Sequence, residues 1–233
     1  MSEPQPQPAS PPLFAERPTA LLVEDAYRFG AIAFAASAFF GILGWTSLAV
    51  LLFGLGVFVG AFFRNPERVL PGDEAAVVSP ADGRVIEVGT IEGESGEKVL
   101  RVGIFLSVFN VHVNRAPLAG RVVEVRRSGN AYLAAFNREA ETRNVRTDLV
   151  LATASGARVV VSQITGLIAR RIVCHPEPGD WLGRGVRYGL IRFGSRTDVQ
   201  LPLTAEVLVS TGDRVRGGET VIARFDDVAE PAE

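Results

Sequence analysis

From Phe29 to Phe63 the chain carries 35 residues without one charged side chain, FGAIAFAASAFFGILGWTSLAVLLFGLGVFVGAFF. A single membrane-crossing helix needs only about 20 apolar residues. The Gly44-Trp45-Thr46-Ser47 patch divides the run into two apolar pieces, each a little short for a full crossing. The pattern therefore predicts a hydrophobic helical hairpin over residues 19–68 that crosses a bilayer twice or dips into one leaflet. It is too long for the apolar region of a secretory signal, and no small-residue cleavage site follows it. Arg17 and Arg28 precede the run and Arg64 and Arg68 follow it, which places both ends on the cytoplasmic face of the cell membrane, as a peripheral or monotopic anchor. A hairpin buried in a soluble core is the alternative that so long an uncharged run disfavours. Ahead of it, residues 1–18 are polar and proline-rich and predict a disordered tail.

After Arg64 the pattern changes to short apolar runs punctuated by Gly, Pro and Asp. Eleven read as strands: AAVV, RVIEVGTI, KVLRVGIFL, NVHVNR, GRVVEVRR, DLVLATA, ARVVVSQI, RRIVC, YGLIRF, VQLPL and EVLVS. Residues 130–143, NAYLAAFNREAETR, carry a helical pattern with Tyr132, Leu133 and Phe136 on one face. Residues 69–233 thus predict one mainly β domain of α+β class. SPADGRVIEV (79–88) and VSTGDRVRGGETVIARF (209–225) are similar to the turn-and-strand phrases of barrel-sandwich hybrid domains. Lys98 lacks the hairpin-tip setting of a swinging-arm lysine, so only that architecture is implied.

Composition narrows the chemistry. A formal charge of −2 gives no global signal for nucleic acid. A single cysteine, Cys174, excludes an internal disulfide, and with only His112 and His175 as histidines no metal site is expected. Lys98 is the sole lysine among 24 cations, and arginine suits phosphate groups by geometry.

Four polar positions in the β domain need explaining: Asp82 in SPADG, His112 in SVFNVHVNRAP, His175 in CHPEPGD, and Ser195 in LIRFGSRTDVQLP. Singly, each has an ordinary reading as a turn, strand or loop residue. Together, an Asp, a His and a Ser are the types needed to orient a base and activate a hydroxyl. The hydrolase elbow G-x-S-x-G is absent around Ser195. Gly194 and Ser195 also interrupt an apolar alternation that would pack better if continued.

FFRNPER, SPADG, FLSVFNVHVNR, NAYLAAFNREAETRN and above all RFGSRTDVQLP occur in order, and with them the chain from about residue 14 resembles short, membrane-associated phosphatidylserine decarboxylase proenzymes. The resemblance implies self-cleavage between Gly194 and Ser195 into a β chain, 1–194, and an α chain, 195–233. Ser195 Oγ attacks the Gly194 carbonyl to form an ester, and β-elimination and hydrolysis then convert Ser195 into a pyruvoyl group. That covalent cofactor forms a Schiff base with the serine headgroup of phosphatidylserine, carbon dioxide leaves, and phosphatidylethanolamine results. Asp82, His112 and Ser195 are the implied self-cleavage residues: orienter, base and nucleophile.

Longer bacterial relatives carry two histidines three residues apart here. Registering on FLS puts His112 at the first and Arg115 at the second, so His112 serves both reactions, or water or His175 supplies a proton in one of them. Arg64, Arg68 and Arg115 are candidate ligands of the lipid phosphate. Phe105, Leu106, Val108 and Phe109 line an acyl groove or belong to a core strand. The expected partners are a phospholipid membrane and the two chains of one proenzyme, with a homodimer of that unit the commonest assembly. Three other readings stay open: the same chemistry on an ether-linked serine phospholipid, a non-catalytic membrane-anchored binding module, and a serine hydrolase.

Overall fold

The computed structural model describes residues 24–93, 96–133, 143–167, 171–191 and 194–225. Two helices, α1 (Glu24–Ile42) and α2 (Thr46–Phe62), form the hairpin, joined through Gly44 at φ 78°. Glycine tolerates this left-handed backbone, and so allows the tight reversal. The Ser37 hydroxyl donates to the Ala49 carbonyl at 2.7 Å across the pair, and the Phe34 ring fills the space where a Cβ on Gly56 would sit. Phe39, Ile42, Trp45, Leu51 and Phe53 remain exposed along the hairpin. At 1.5 Å per residue the helices are only about 28 Å and about 26 Å long. No helix among the described residues is long and apolar enough to cross a membrane.

The rest is β structure, as the alternation predicts. An antiparallel eight-stranded sheet runs in the order β13 (Arg214–Val215), β2 (Gly83–Glu92), β3 (Lys98–Leu106), β11 (Ser195–Leu201), β7 (Arg158–Ile164), β6 (Arg146–Ala152), β5 (Gly120–Ser128), β9 (Trp181–Leu182). Two three-stranded sheets accompany it. One is β1 (Ala76–Val78), β14 (Val221–Arg224), β12 (Glu206–Val207); the other is β4 (Val113–Arg115), β10 (Arg187–Ile191), β8 (Ile172–Cys174). The two barrel-sandwich phrases pair with each other, Arg84 opposite Arg214 and Gly83 opposite Val215.

β11 lies inside the large sheet, with Thr197 opposite Ile104 of β3 and Gln163 of β7. Its alternate residues Val199 and Leu201 join Val102, Ile104, Leu149 and Val161 in the core. On its other face Arg196 Nε donates to Asp198 Oδ1 at 2.5 Å and Arg196 Nη2 to Glu87 Oε2 at 2.8 Å, while Arg101 pairs with the same glutamate. Gly103 leaves room for this group, since a Cβ there would lie 3.0 Å from Arg196 Nη2.

The structure corrects several expected boundaries. The strand expected at Val199 begins at Ser195, and the NVHVNR strand shrinks to Val113–Arg115 because Asn110 and His112 are engaged in a turn and a side-chain contact. Within the expected helix, Ala131 instead forms an isolated bridge with Asn144; residues 134–142, Phe136 included, lie outside the described residues, as does the expected tail.

Candidate active site

Ser195 is the first residue of β11, fully buried, and its Oγ has no hydrogen-bond partner among the described residues. An unpaired buried hydroxyl costs about 1–3 kcal/mol. Just before it Gly194 holds φ at 60°, and apart from its own chain neighbours no described atom lies within 4 Å of where a Cβ would stand. Glycine adopts this left-handed backbone without the strain a side chain would bring.

Facing this step is His112, 2% exposed at the entry to β4. Its Nδ1 lies 2.9 Å from the Asn110 carbonyl, an acceptor only, so Nδ1 carries the proton and Nε2 the lone pair. The Gly194 N–H donates to that Nε2 at 3.4 Å. Asn110 is itself fixed: its Oδ1 accepts from the backbone N–H and hydroxyl of Ser107 at 2.9 and 2.7 Å, and its N–H donates to the Ser107 carbonyl at 3.0 Å. Burial, reinforced by the Arg64 charge and opposed by the Asn110 carbonyl, pushes the His112 pKa down to about 4. At neutral pH the imidazole is therefore an uncharged base.

Depression of a histidine pKa stabilises the folded state where the imidazole is neutral in both states, above about 6.5, and that contribution falls away as pH drops toward 4. Between pH 7 and pH 4 an uncleaved Ser195→Ala protein should lose about 3 kcal/mol more than the same protein carrying His112→Gln. Chemical denaturation of both in detergent micelles measures the difference, and equal losses would contradict the buried neutral imidazole.

A polar clasp lies on the Ser195 face of β11. Asn114 Nδ2 donates to Thr197 Oγ1 at 3.2 Å, and Gln163 Nε2 donates to Asn114 Oδ1 at 2.9 Å and to the Val173 carbonyl at 3.2 Å. It joins β4, which follows the histidine, to β11, which begins with the serine. Sequence reasoning missed this clasp and the role of Asn110, although Ser107 and Asn110 have turn-forming spacing. It also missed Phe62, whose ring centroid lies 4.2 Å from that of His112.

The other candidates have partners of their own. Asp82 accepts two bonds from Arg68 Nη2, at 2.9 and 2.8 Å, and one from the Gly217 N–H at 2.8 Å. The His112 ring is oriented by a backbone carbonyl, and Asp82 ties the segment after the hairpin to the 210–220 turn. Arg68 also reaches Glu219, and Arg115 donates to the carbonyls of Gly185 and Pro66 at 3.0 and 2.9 Å. Arg64 is the arginine beside the histidine, donating to the carbonyls of Ala61 at 2.6 Å and Phe109 at 2.8 Å. His175 is exposed beyond β8, its N–H bonded to the Tyr188 carbonyl. Of the proposed groove, Leu106 is core and Phe109 is 76% exposed.

A family model described as phosphatidylserine decarboxylase matches residues 55–223, which take in the end of the hairpin's second helix, the histidine and the Gly194-Ser195 step. The chain belongs to the phosphatidylserine decarboxylase family. It is thus a decarboxylase enzyme. The phosphatidylserine decarboxylase proenzyme of Geotalea uraniireducens is 48% identical over 202 residues, covering 86% of this chain and 95% of its own. Those of Geotalea daltonii and Geobacter sulfurreducens are 50% and 46% identical, over 80% and 85% of this chain and 88% and 94% of theirs.

Proposed function

We propose that the chain is a self-processing, pyruvoyl-dependent decarboxylase that converts phosphatidylserine to phosphatidylethanolamine at a membrane surface. The observation that carries this reading is the buried Ser195 hydroxyl, without a partner among the described residues, next to a left-handed Gly194, with a neutral His112 Nε2 on the same step.

Ser195 Oγ attacks the Gly194 carbonyl while His112 Nε2 takes the hydroxyl proton; the Gly194–Ser195 C–N bond breaks, and an ester joins Oγ to Gly194. Loss of the Ser195 α-proton expels the Gly194 carboxylate, and water then replaces the nitrogen, releasing ammonia and leaving a pyruvoyl group at the head of β11. Once formed, that group supplies the electron sink for loss of carbon dioxide from the serine headgroup.

His112 is the chain's own proton carrier for both reactions, as its place beside the step and its neutral state support. Asp82 positions loops through Arg68 and Gly217. Arg64 alone of the three candidate arginines stands beside the histidine, and it is the proposed phosphate ligand. The exposed apolar hairpin dips into one leaflet from the cytoplasmic side, which brings the headgroup plane to the level of Arg64 and Phe109.

The test uses vesicles of phosphatidylserine labelled at the serine carboxyl. Cleaved protein should release labelled carbon dioxide, and cyanoborohydride during turnover should add the lipid mass to the small chain. Diester and diether serine phospholipids compared in parallel report on the tails. Cleaved protein that releases no carbon dioxide from either would overturn the proposal.

A further inference from the structure

Helix α2 does more than complete the hairpin. Its last residue, Phe62, is 2% exposed and packs with Ala26 of α1, Phe63 and Leu190 of β10 in a small cluster separate from the main core. The other side of that cluster is the histidine: the Phe62 and His112 rings are 4.2 Å apart and inclined by 35°. Two residues further on, Arg64 donates to the Phe109 carbonyl, next to the Asn110 whose carbonyl accepts from His112 Nδ1. The end of one helix therefore grips both the imidazole ring and the loop carrying the acceptor that orients it.

A single hydrogen bond at Nδ1 leaves an imidazole free to swing about that bond, and Nε2 would then leave the Gly194 N–H. A flat apolar face against the ring removes this freedom and excludes the water that would otherwise compete for Nε2. We propose that Phe62 is a positioning residue for His112, so that the base of the lipid-facing hairpin is part of the reaction centre. This rests on the reading of His112 as the base. The one charged group found to act on His112 among the described residues is Arg64; the ring also meets the Asn110 carbonyl, the Gly194 N–H and the Phe62 ring.

The test reads the imidazole directly. In an uncleaved Ser195→Ala protein, nitrogen NMR of the ring sees two histidines, and His175→Gln assigns them. Phe62→Ala should move the His112 midpoint up from about 4 by one pH unit or more, and mix its Nδ1–H and Nε2–H tautomers. Phe62→Tyr, which keeps the ring, should retain the low midpoint and the single tautomer. If Phe62→Ala does not fold, Phe62→Leu keeps the apolar volume without the flat face: its midpoint should stay low while the tautomers mix. With Ser195 restored, loss of the ring should slow self-cleavage about 10- to 100-fold, and the tyrosine should recover it. An unchanged midpoint and a single Nδ1–H tautomer in Phe62→Ala, or a single tautomer in Phe62→Leu, overturns the proposal. Cleavage by His112→Gln at the normal rate would instead overturn the assignment of the base, while leaving the NMR result on Phe62 standing.

Discussion

Ser195→Ala should leave one species of 25.0 kDa where the unaltered protein gives two, of about 21 and about 4 kDa in proportion to 194 and 39 of its 233 residues. The small piece should also be roughly 17 Da light, because an amino-terminal serine has become a pyruvoyl group. The effect is all or none: alanine offers no oxygen to attack Gly194, and without the cut no carbonyl forms at the head of β11. Fold should survive, because the lost hydroxyl has no partner among the described residues and its removal relieves a buried polar atom. Intact-protein mass spectrometry decides it. Two pieces from the alanine variant, or a single mass from carbon dioxide-releasing unaltered protein, would refute self-processing at this bond.

The second large effect belongs to His112. His112→Gln retains a donor for the Asn110 carbonyl but has no basic nitrogen to take the Ser195 proton. Self-cleavage should slow about 10²- to 10⁴-fold, the usual worth of a positioned general base. The pH dependence of the unaltered protein should share this origin. Only neutral imidazole accepts a proton, so the rate of cleavage should stay level from pH 8 to about 5 and fall as pH drops through about 4. A time course of the uncleaved mass fraction at several pH values measures both. Normal cleavage by the glutamine variant, or a rate already halved near pH 6.5, would remove His112 from the role.

Much of the architecture was legible because it follows from local pattern. The uncharged run from Phe29 to Phe63 announced two helices, and the strand KVLRVGIFL appears with the same ends as β3. The site was legible only in its residue types. Ser195 looked like a turn residue because it and Gly194 interrupt an apolar alternation, yet the strand starts at the serine and its charged Arg196 and Asp198 neutralise each other and Glu87. His112 and Gly194 stand 82 positions apart in the chain and meet only through the packing of β4 beside β10 and β11. No spacing rule encodes that. Nor does position tell where a guanidinium points: Arg64, Arg68 and Arg115 look equivalent in sequence, but two of them brace the segment leaving the hairpin and one stands at the histidine. Phe62 was hidden among apolar neighbours whose side chains differ in direction, not in type.

The place of β11 has a further consequence. The proposed cut falls at the first residue of a strand that is laddered to β3 on one side and β7 on the other, and pinned by Arg196 to Glu87. The new end therefore stays where it was made. A protein cut there, however, would hold a pairing that was assembled while both partners were one molecule. Once fully unfolded, its small chain diffuses away as a separate solute, and re-forming the sheet becomes a second-order event whose yield depends on dilution. Maturation by the proposed cut would thus exchange an intramolecular folding equilibrium for persistence by slow unfolding alone: the protein would fold once as a precursor and then endure kinetically.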